Sequence, residues 1–443
     1  MYLIYSALLA LSILFTLPYW LFQMGRHGKY RAGLAERLGR VPPRLGLPSA
    51  RAVVWIHAVS VGEVLALSGL AVEIRRRFSE YRVLVSTTTD TGQKLARNRF
   101  GEENVFYFPL DFEFAVRPYL DVLRPRLVII GETEIWPNFL RLAAQNGARI
   151  VTVNARVSER SFRGYRKLGR WLAEVLAHID FFLTQTEEDR ARLIELGVAF
   201  DRVEVTGNLK FDLEPPAPPA IVSSLQSAFA QANAGPILVC GSTMEDEEPL
   251  LLRAFENVLA SYPRAVMILA PRHPERFAEV VAHLEKLGAR YWRRSLWSGE
   301  PMAGGVFLVD SIGELAALYS LGTLAFVGGS LLPHGGHNII EPAQYGVPIV
   351  VGTHTENFRE IINIFRAQNA VRIVGPAELP LTFMELLSNN AERLGLGRRG
   401  LETLRAQKGA TQRTISALES FLSPVSVVLP ANAGRDDRAT RPQ

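Results

Sequence analysis

Acidic side chains directly follow two apolar runs, at the points where strands would end, and these residues are the clearest candidates for chemistry. The segment WIHAVSVGEVLAL, residues 55–67, changes from a strand pattern to a helix pattern, and Glu63 falls on the first turn of that helix. The segment IIGETEIWPN, residues 129–138, ends another apolar run with Glu132 and Glu134. A carboxylate so placed either caps a helix or acts as a general base, and spacing leaves both open.

A structural role can explain each of these carboxylates. Ser60 is a good helix cap, and Glu63, three residues later, completes a capping box. A helix N-terminus stabilises a carboxylate, so the pKa of Glu63 is predicted to fall. Lys210, in VTGNLKFD, is predicted to point into a cleft between two domains. There an ion pair with Glu132 and a catalytic role are about equally favoured, and both can hold.

A second group of candidates lies in the C-terminal half and suits a nucleotide. The segment GGHNIIE, residues 335–341, predicts a helix that Asn338 caps, with Glu341 one turn inside. Backbone N–H groups at a helix N-terminus favour a phosphate, and the carboxylate can accept ribose hydroxyls. We therefore favour a nucleotide site over a bare cap. Arg272, in APRHPERF, and Gly313, in DSIGELAALY, give weaker signals of the same kind.

The sequence gives no sign of a metal site. His57 and His337 each lack a second histidine at ligand spacing, and Cys240 is the only cysteine, so a cysteine-based zinc site is impossible. The chain also has no D-x-D pair, no phosphate-binding G-x-x-x-x-G-K-[ST] sequence and no G-x-S-x-G turn. We expect chemistry without a metal.

Two doubly wound α/β domains are predicted to hold these residues. Short apolar runs alternate with helix-length segments on both sides of the proline-rich stretch LEPPAPPA, residues 213–220. Runs buried on both faces predict parallel sheets, and ligands bind outside the carboxyl ends of their strands. The fold class is therefore α/β, with the two sheets facing a cleft. Besides the run at residue 55, the predicted strands are 82–89, 127–132, 149–155, 181–186, 236–243, 265–272, 305–311, 324–330 and 348–352.

Length and composition agree with a globular protein of two or three domains. The chain has 443 residues, of which 48% are hydrophobic, and a formal net charge of +5. A single cysteine rules out an intrachain disulfide framework. No long basic run with interleaved aromatics appears, so nucleic acid is not an expected partner.

The N-terminus predicts a membrane anchor. Residues 2–22 carry no charge and are long enough to span a bilayer, and Tyr19 and Trp20 suit an interfacial belt. Pro18 is also compatible with a shallower, interfacial insertion, and a buried core helix is the remaining alternative. The positive-inside rule puts the following residues in the cytoplasm, because one acid, Glu36, is outnumbered by Arg26, Lys29, Arg31, Arg37, Arg40, Arg44 and Arg51.

The predicted organisation has four parts. Residues 1–22 are the anchor, and residues 23–213 and 214–423 are two Rossmann-like domains. Residues 424–443 are polar and aperiodic, which predicts a disordered tail.

Taken together, the motifs resemble the 3-deoxy-D-manno-octulosonic acid (Kdo) transferases of lipopolysaccharide synthesis, inverting glycosyltransferases of GT-B fold. The similarity runs from the anchor to about residue 423. The matching stretches are WIHAVSVGE, GETEIWPN, NARVSERS, TGNLKFD, GSTMEDEE, PRHPERF, FVGGS and GGHNIIEP.

The resemblance implies that residues 23–213 form the acceptor-binding domain and residues 214–423 the nucleotide-sugar-binding domain. It also implies a substrate pair and a location. Kdo would pass from CMP-Kdo, a substrate rather than a cofactor, to a lipid A precursor at the cytoplasmic face of the bacterial inner membrane. A nucleotide-sugar epimerase and an inactive membrane scaffold remain alternatives. The anchor disfavours the first, and the many polar residues at strand ends disfavour the second.

The resemblance also implies roles for single residues. Glu63 would be the general base, and Glu132 and Lys210 would assist the transition state. Met244 departs from the family pattern, which usually has histidine at this place in GSTMEDEE. The CMP contacts would be Pro271, Arg272, Ile312, Gly313, Glu314, Asn338, Ile339, Ile340 and Glu341.

Overall fold

The computed structural model describes residues 1–27, 32–46, 51–215 and 217–423, and the chain divides into two compact units. The first unit begins at Met1, ends at Gly207 and takes up the chain again from Thr411. The second unit comprises Asn208–Ala410. The predicted tail, 424–443, lies outside the described residues.

The first unit is a seven-stranded sheet in the order β3-β2-β1-β4-β5-β6-β7, with every pair of neighbours parallel. Its strands are β1 (Ala52–His57), β2 (Tyr81–Thr87), β3 (Val105–Tyr107), β4 (Pro125–Gly131), β5 (Arg149–Ala155), β6 (Phe181–Thr184) and β7 (Val203–Val205). Its helices up to β7 are α1 (Tyr2–His27), α2 (Leu34–Arg37), α3 (Val61–Arg77), α4 (Asp90–Phe100), α5 (Glu113–Leu123), α6 (Pro137–Gln145), α7 (Glu159–Arg166), α8 (Gly169–Leu176) and α9 (Glu187–Glu195).

The second unit repeats this plan, with the strand order β10-β11-β9-β8-β12-β13-β14 and parallel pairing throughout. Its strands are β8 (Ile237–Thr243), β9 (Val266–Pro271), β10 (Tyr291–Arg293), β11 (Gly305–Leu308), β12 (Leu324–Val327), β13 (Ile349–Val351) and β14 (Arg372–Ile373). Its helices are α10 (Ala220–Ala232), α11 (Glu247–Ser261), α12 (Phe277–Lys286), α13 (Leu315–Leu318), α14 (Ile340–Ala343), α15 (Arg359–Ala367), α16 (Leu379–Ser388) and α17 (Asn390–Gln407).

The strand order fixes where each unit can bind a ligand. Successive strands proceed in one direction from β1 to β3 and in the other from β4 to β7, so the topological switch lies between β1 and β4. In the second unit the same reversal occurs between β8 and β12. Crevices at the carboxyl ends of such strand pairs are the usual ligand sites of doubly wound sheets. The predicted α/β fold with two parallel sheets is confirmed.

The C-terminal helix α18 (Ala410–Leu422) returns to the first unit, whereas the sequence assigned it to the second. Ile415, Leu418 and Leu422 on this helix are fully buried. The Tyr81 hydroxyl donates to the Leu422 carbonyl at 2.7 Å. These residues alternate with polar ones at helical spacing, a pattern that reports burial but not which sheet provides the partner.

The boundary between the units also lies upstream of the predicted one. The turn Leu209–Asp212 belongs to the second unit, because Phe211 is 1% exposed within that unit's core. The Asp212 carboxylate also accepts the Gly409 N–H at 2.7 Å. The proline-rich stretch therefore does not mark the boundary between the two hydrophobic cores.

Candidate active site

Glu63 begins the helix that follows β1, and its carboxylate folds back over its own N-terminus. Ser60 is the N-cap of α3, and its hydroxyl accepts the Glu63 N–H. The Glu63 carboxylate accepts the Val59 N–H at 2.8 Å and the Ser60 hydroxyl at 3.0 Å. The predicted capping box is present, with Val59 in place of Ser60 as the backbone donor. The capping interactions leave Glu63 only 8% exposed.

The pKa of Glu63 shifts upward, so the predicted fall was wrong. Burial, with smaller contributions from the charges of Glu132 and Glu134, raises the pKa of this carboxyl to about 7, although the Val59 and Ser60 hydrogen bonds act in the opposite direction. Loss of solvation thus outweighs the favourable field of the helix N-terminus. A carboxyl with a pKa near neutrality can both accept and hold a proton at physiological pH, as a general base requires.

Glu132 follows β4, the neighbour of β1, and lies beside Glu63. The Glu63 carboxylate lies against the end of β4, because a methyl group on Gly131 would be 3.6 Å from Glu63 Oε2. Glu132 itself has a φ of 54°, in the left-handed region, and its N–H donates to the Val153 carbonyl at 2.9 Å. Burial, followed by the charge of Glu132, raises the pKa of Glu134. The three carboxyls therefore form an acidic cluster at the switch point of the first sheet.

Buried aromatic side chains pack around the end of β1. Trp55 is fully buried, and its indole N–H donates to the Ser86 hydroxyl at 2.7 Å. His57 Nδ1 lies 3.0 Å from the same hydroxyl, and the imidazole stacks on Phe108 at 3.9 Å. Burial lowers the pKa of His57 to about 3, so this imidazole is neutral at physiological pH. His57 thus supports the turn that carries Glu63 and supplies no charge.

In the second unit, one buried carboxylate ties the ends of β8 and β12 together. Glu247 is 0% exposed and accepts the N–H groups of Met244 at 2.9 Å, Gly329 at 2.6 Å, Ser330 at 2.9 Å and Leu331 at 2.9 Å. A carboxylate that accepts this many N–H groups compensates its own burial. Sequence reasoning missed this role; the only available signal was the run of acids in GSTMEDEE.

The loop that Glu247 fixes passes directly beside His337. A methyl on Gly329 would be 2.8 Å from His337 Cδ2 and Nε2 and 3.5 Å from Met244 Cγ, so only glycine fits there. The Gly336 N–H then donates to the Gly329 carbonyl at 2.6 Å. Burial, and next the charge of Arg272, lowers the pKa of His337 to about 4. His337, which is neutral at physiological pH, therefore lies against Gly329, close to Met244.

Arg272 and Glu341 come together at the carboxyl end of this sheet, as predicted for a nucleotide site. Arg272 follows β9, and its N–H donates to the Thr243 carbonyl at 2.9 Å. Burial raises the pKa of Glu341 to about 7, against the opposing charge of Arg272 and a hydrogen bond with Asn338. An exposed guanidinium beside a carboxyl suits a ligand with both phosphate and hydroxyl groups.

The helix expected at Asn338 is shorter and starts later than the sequence suggests. Helix α14 covers only Ile340–Ala343, and the Asn338 side chain accepts the Ile340 N–H at 3.1 Å. A single turn has little dipole, so its N-terminus adds little to phosphate binding. Loop N–H groups and Arg272 remain the available phosphate donors. Ile339 and Ile340 are fully buried, so neither side chain is available to a ligand.

The remaining predicted nucleotide contacts differ in how available they are. Pro271 is the buried last residue of β9, whereas Ile312 is 66% exposed. Gly313 has a φ of 94° and no atom within 4 Å of an added methyl, so a ligand can approach its backbone. Glu314 is engaged by Arg294, with an Nη2–Oε1 distance of 2.9 Å, and by the Ser311 hydroxyl.

Lys210 lies in the second unit, in the turn Leu209–Asp212, and not in the first as the sequence suggested. Its N–H donates to the Asn208 side chain at 2.9 Å. Glu132 belongs to the first unit, so the ion pair between the two stays a prediction. Among the residues that the structure describes, no group of three or more histidine, cysteine, aspartate or glutamate side chains converges as metal ligands do.

Comparison with known proteins gives the family. Residues 32–213 match the family model "3-Deoxy-D-manno-octulosonic-acid transferase (kdotransferase)". The 3-deoxy-D-manno-octulosonic acid transferase of Haemophilus influenzae is 34% identical over 89% of this chain and 92% of its own length. That of Bordetella pertussis is 36% identical over 91% of this chain and 95% of its own. The chain belongs to the Kdo transferase family.

Membership in the Kdo transferase family confirms the resemblance inferred from the motifs. Solved structures with less sequence similarity agree on the fold. UDP-GlcNAc 2-epimerase from Neisseria meningitidis is 14% identical, covers 83% of this chain and 100% of its own, and has a TM-score of 0.57. At this identity the likeness concerns the fold alone, which is the double α/β plan of GT-B glycosyltransferases and these epimerases.

Proposed function

We propose that this Kdo transferase moves Kdo from CMP-Kdo to a lipid A precursor with inversion at the anomeric carbon. An acceptor hydroxyl forms a bond to that carbon, the bond from the carbon to the CMP phosphate oxygen breaks, and the hydroxyl proton passes to a base. CMP leaves with the bonding electron pair. Such a reaction needs one base on the acceptor side and positive charge or N–H donors on the phosphate side.

Glu63 is the proposed base, and its buried position carries the proposal. A fully solvated glutamate has a pKa near 4.3 and is a weak base at neutral pH. Burial with two neighbouring carboxyls raises the pKa of Glu63 to about 7. The helix cap fixes both oxygens, so the carboxylate needs no reorganisation before proton transfer. Glu132, one strand away, is the proposed partner that stabilises the transition state, together with Lys210.

The second unit is proposed to bind CMP. Arg272 and the open backbone near Gly313 suit a phosphate, and Glu341 suits the ribose hydroxyls. A monophosphate leaving group demands less charge compensation than a diphosphate, which agrees with a mechanism that uses no metal.

The proposed location is the cytoplasmic face of the inner membrane, with lipid as partner. Within the described residues, one helix, Tyr2–Arg26, is long and apolar enough to cross a bilayer. An acceptor that is itself a membrane lipid requires the enzyme to stay at the bilayer surface. Helix α1 supplies the apolar surface for that attachment.

Labelled CMP-Kdo, incubated with a lipid A precursor and detergent-dispersed full-length protein, tests transfer. Labelled lipid supports the proposal. Isomerised sugar nucleotide without lipid product would indicate an epimerase, and no product an inactive scaffold.

Glu63→Gln tests the base. It should reduce turnover by roughly 10²–10⁴-fold, and the wild-type rate should rise as the pH rises through about 7 and level off above it. Glu73→Gln, on the same helix α3 but away from the cap, is the matched control and should retain the rate. Normal turnover of Glu63→Gln with a normal thermal melt would leave Glu63 as a structural cap.

Arg272→Ala tests the nucleotide site. It should weaken CMP binding by about 1.5–3 kcal/mol, because a charge-assisted contact is lost. Arg290→Ala is the control, since Arg290 precedes β10 and so lies at the opposite edge of the same sheet. Unchanged CMP affinity of Arg272→Ala in calorimetry would exclude this site.

A further inference from the structure

The beginning of helix α1 is hydrogen-bonded to other elements of the first unit. The Tyr2 hydroxyl lies 2.8 Å from His178 Nε2, and the Asn138 side-chain amide donates to the Ser6 hydroxyl at 2.9 Å. Tyr5 hydrogen-bonds Asp111, a carboxylate that is 1% exposed. Polar groups of the first two turns of α1 are therefore paired with residues that follow the strands of the first unit.

Aromatic contacts strengthen this attachment. Arg141 lies over the Tyr2 ring at 4.9 Å, and Tyr5 contacts the Trp171 ring at 6.3 Å between centroids. Asp111 in turn accepts the N–H groups of Asn138 at 3.1 Å and Phe139 at 2.7 Å, at the start of α6. The contacts of α1 thus reach the start of α6, the helix that follows Glu132 and Glu134 in the chain.

Only one face of α1 is covered. The partly buried residues in its first half, at positions 2, 5, 6, 9 and 13, share one side at helical spacing. The other side is apolar and bare: Leu3 is 86% exposed, Leu8 62%, Leu11 49% and Phe15 82%. From residue 14 to residue 22 every side chain is exposed. The helix therefore presents an apolar stripe in its first half and an apolar surface all round beyond it.

A fully spanning helix is incompatible with these contacts. The hydrocarbon layer is about 30 Å thick, and a helix rises about 1.5 Å per residue, so a spanning α1 would hold residues 2–6 on the far side from Arg26. Asp111, Asn138 and His178 belong to the sheet-containing part of the first unit and cannot follow them across. The single pass predicted from length and charge therefore conflicts with the docked first turns.

We infer that α1 attaches the protein from one side, with its docked face on the first unit and its apolar stripe and second half inserted into one leaflet of an anionic bilayer. Charge favours an anionic bilayer as the surface that α1 contacts, since Arg26 at the end of the helix and Arg40 beyond it are both exposed cations. A second apolar patch adjoins the dock: Phe112 and Phe114, directly after Asp111, stack at 5.5 Å, and Phe114 is 61% exposed.

The inference rests on the proposed membrane attachment, and its tests do not depend on transfer activity. A cysteine in a short uncharged Gly-Ser extension before Met1 reports the side of the N-terminus in intact spheroplasts. The inference expects no labelling by an impermeant maleimide until the cells are permeabilised. Labelling of intact spheroplasts would overturn it. Cys240 is buried, and the parent chain gives its background labelling.

A cross-link tests the dock itself. Ser6→Cys with Asn138→Cys should be joined by a short bis-thiol reagent in membranes of the full-length protein. Ile4→Cys with Asn138→Cys is the control, because Ile4 is 61% exposed and lies off the docked face. Equal or absent cross-linking of the two pairs would contradict the docked arrangement.

Vesicle binding tests whether a bilayer covers the exposed apolar face of α1. Leu11→Glu with Phe15→Glu should reduce co-sedimentation with anionic phospholipid vesicles by about tenfold or more. Val72→Glu, at a 57% exposed position on α3, should leave it unchanged. No vesicle binding, together with a dimer that Leu11→Glu and Phe15→Glu dissociate, would assign the apolar face to a second copy of the chain and overturn the inference.

Discussion

At the scale of residues, the sequence presents capping and catalysis as alternatives for Glu63, whereas in the structure the capped carboxylate is also buried, which is compatible with the proposed role as a base. The cap holds both carboxylate oxygens beneath the turn after β1, and the resulting burial raises the pKa. The position of this residue could be predicted from the strand-to-helix pattern. The direction of its pKa shift could not, because burial and the charges of Glu132 and Glu134 come from a strand some 70 residues further along.

Glu63→Gln should stabilise the protein at pH 8 but not at pH 4. With a pKa of about 7 in the folded state and about 4.3 unfolded, the protonated carboxyl contributes stability that is complete below pH 4 and lost as the pH rises through 7. Glutamine cannot ionise, so the variant should gain up to about 3 kcal/mol over wild type at pH 8. Denaturant unfolding at both pH values measures this difference.

Glu73→Gln provides the control of opposite sign. Hydrogen bonding with Arg76 lowers the pKa of Glu73, so its ionised form is the stabilising one above the unfolded pKa. Its replacement should not stabilise the protein at pH 8. A gain equal to that of Glu63→Gln would mean that general surface charge, and not the buried cluster, accounts for the effect.

Gly329→Ala should weaken CMP binding, whereas Gly288→Ala should not. Both glycines are left-handed, with φ of 69° and 62°, so alanine costs about 1 kcal/mol of backbone strain at either site. Only at Gly329 would the methyl meet the His337 ring, at 2.8 Å, while nothing lies within 4 Å at Gly288. Displacement of His337 and the following loop should reduce affinity about tenfold, or 1.4 kcal/mol, in calorimetry. Equal affinities in the two variants would show that this loop does not form the nucleotide site.

At the scale of elements, the loop beside the candidate nucleotide site is held by one carboxylate that joins two strand ends distant in sequence. Glu247 accepts N–H groups from Met244 nearby and from Gly329, Ser330 and Leu331 more than 80 residues away. The sequence could predict that polar residues collect after β8 and β12. It could not predict this bond set, because the pairing of the two strands is set by the whole sheet.

Glu247→Gln should destabilise the second unit and impair CMP binding together. A glutamine offers one acceptor oxygen where the carboxylate serves four N–H groups, and its NH₂ then faces donors. Leaving buried donors unpaired should cost about 2–4 kcal/mol of unfolding free energy. Glu245→Gln, two residues away and exposed, is the matched control for stability and calorimetry. Wild-type stability of Glu247→Gln would mean that the loop finds other acceptors.

At the scale of the whole molecule, the sequence predicted long buried strands well and short edge strands poorly. The strands that it missed, β3, β7, β10 and β14, have two or three residues each and lie at the edges of the two sheets. So short a segment has no room for a periodic apolar pattern. The order of strands in each sheet also depends on right-handed crossovers and core packing, which local patterns do not encode.

The C-terminal helix poses the same problem over a longer distance, since α18 packs on a unit whose strands end more than 200 residues before it. The Arg413 guanidinium donates to the Thr206 carbonyl at 2.8 Å, and Arg126 donates to the Ser423 carbonyl at 3.0 Å. Amphipathic spacing identifies the buried face of such a helix. Only the tertiary structure shows which core receives it.

Leu418→Ala should therefore destabilise the first unit and spare the second. Leu418 is fully buried, so its truncation should cost about 2–5 kcal/mol. In hydrogen exchange, amides of β1 and β4 should lose protection while those of β8 and β12 keep it, because the lost contacts belong to the first core. Leu394→Ala removes the same atoms from a 61% exposed position on α17 and should change neither unit. Loss of protection confined to β8 and β12 in Leu418→Ala would mean that this helix packs on the second unit, as the sequence pattern alone had suggested.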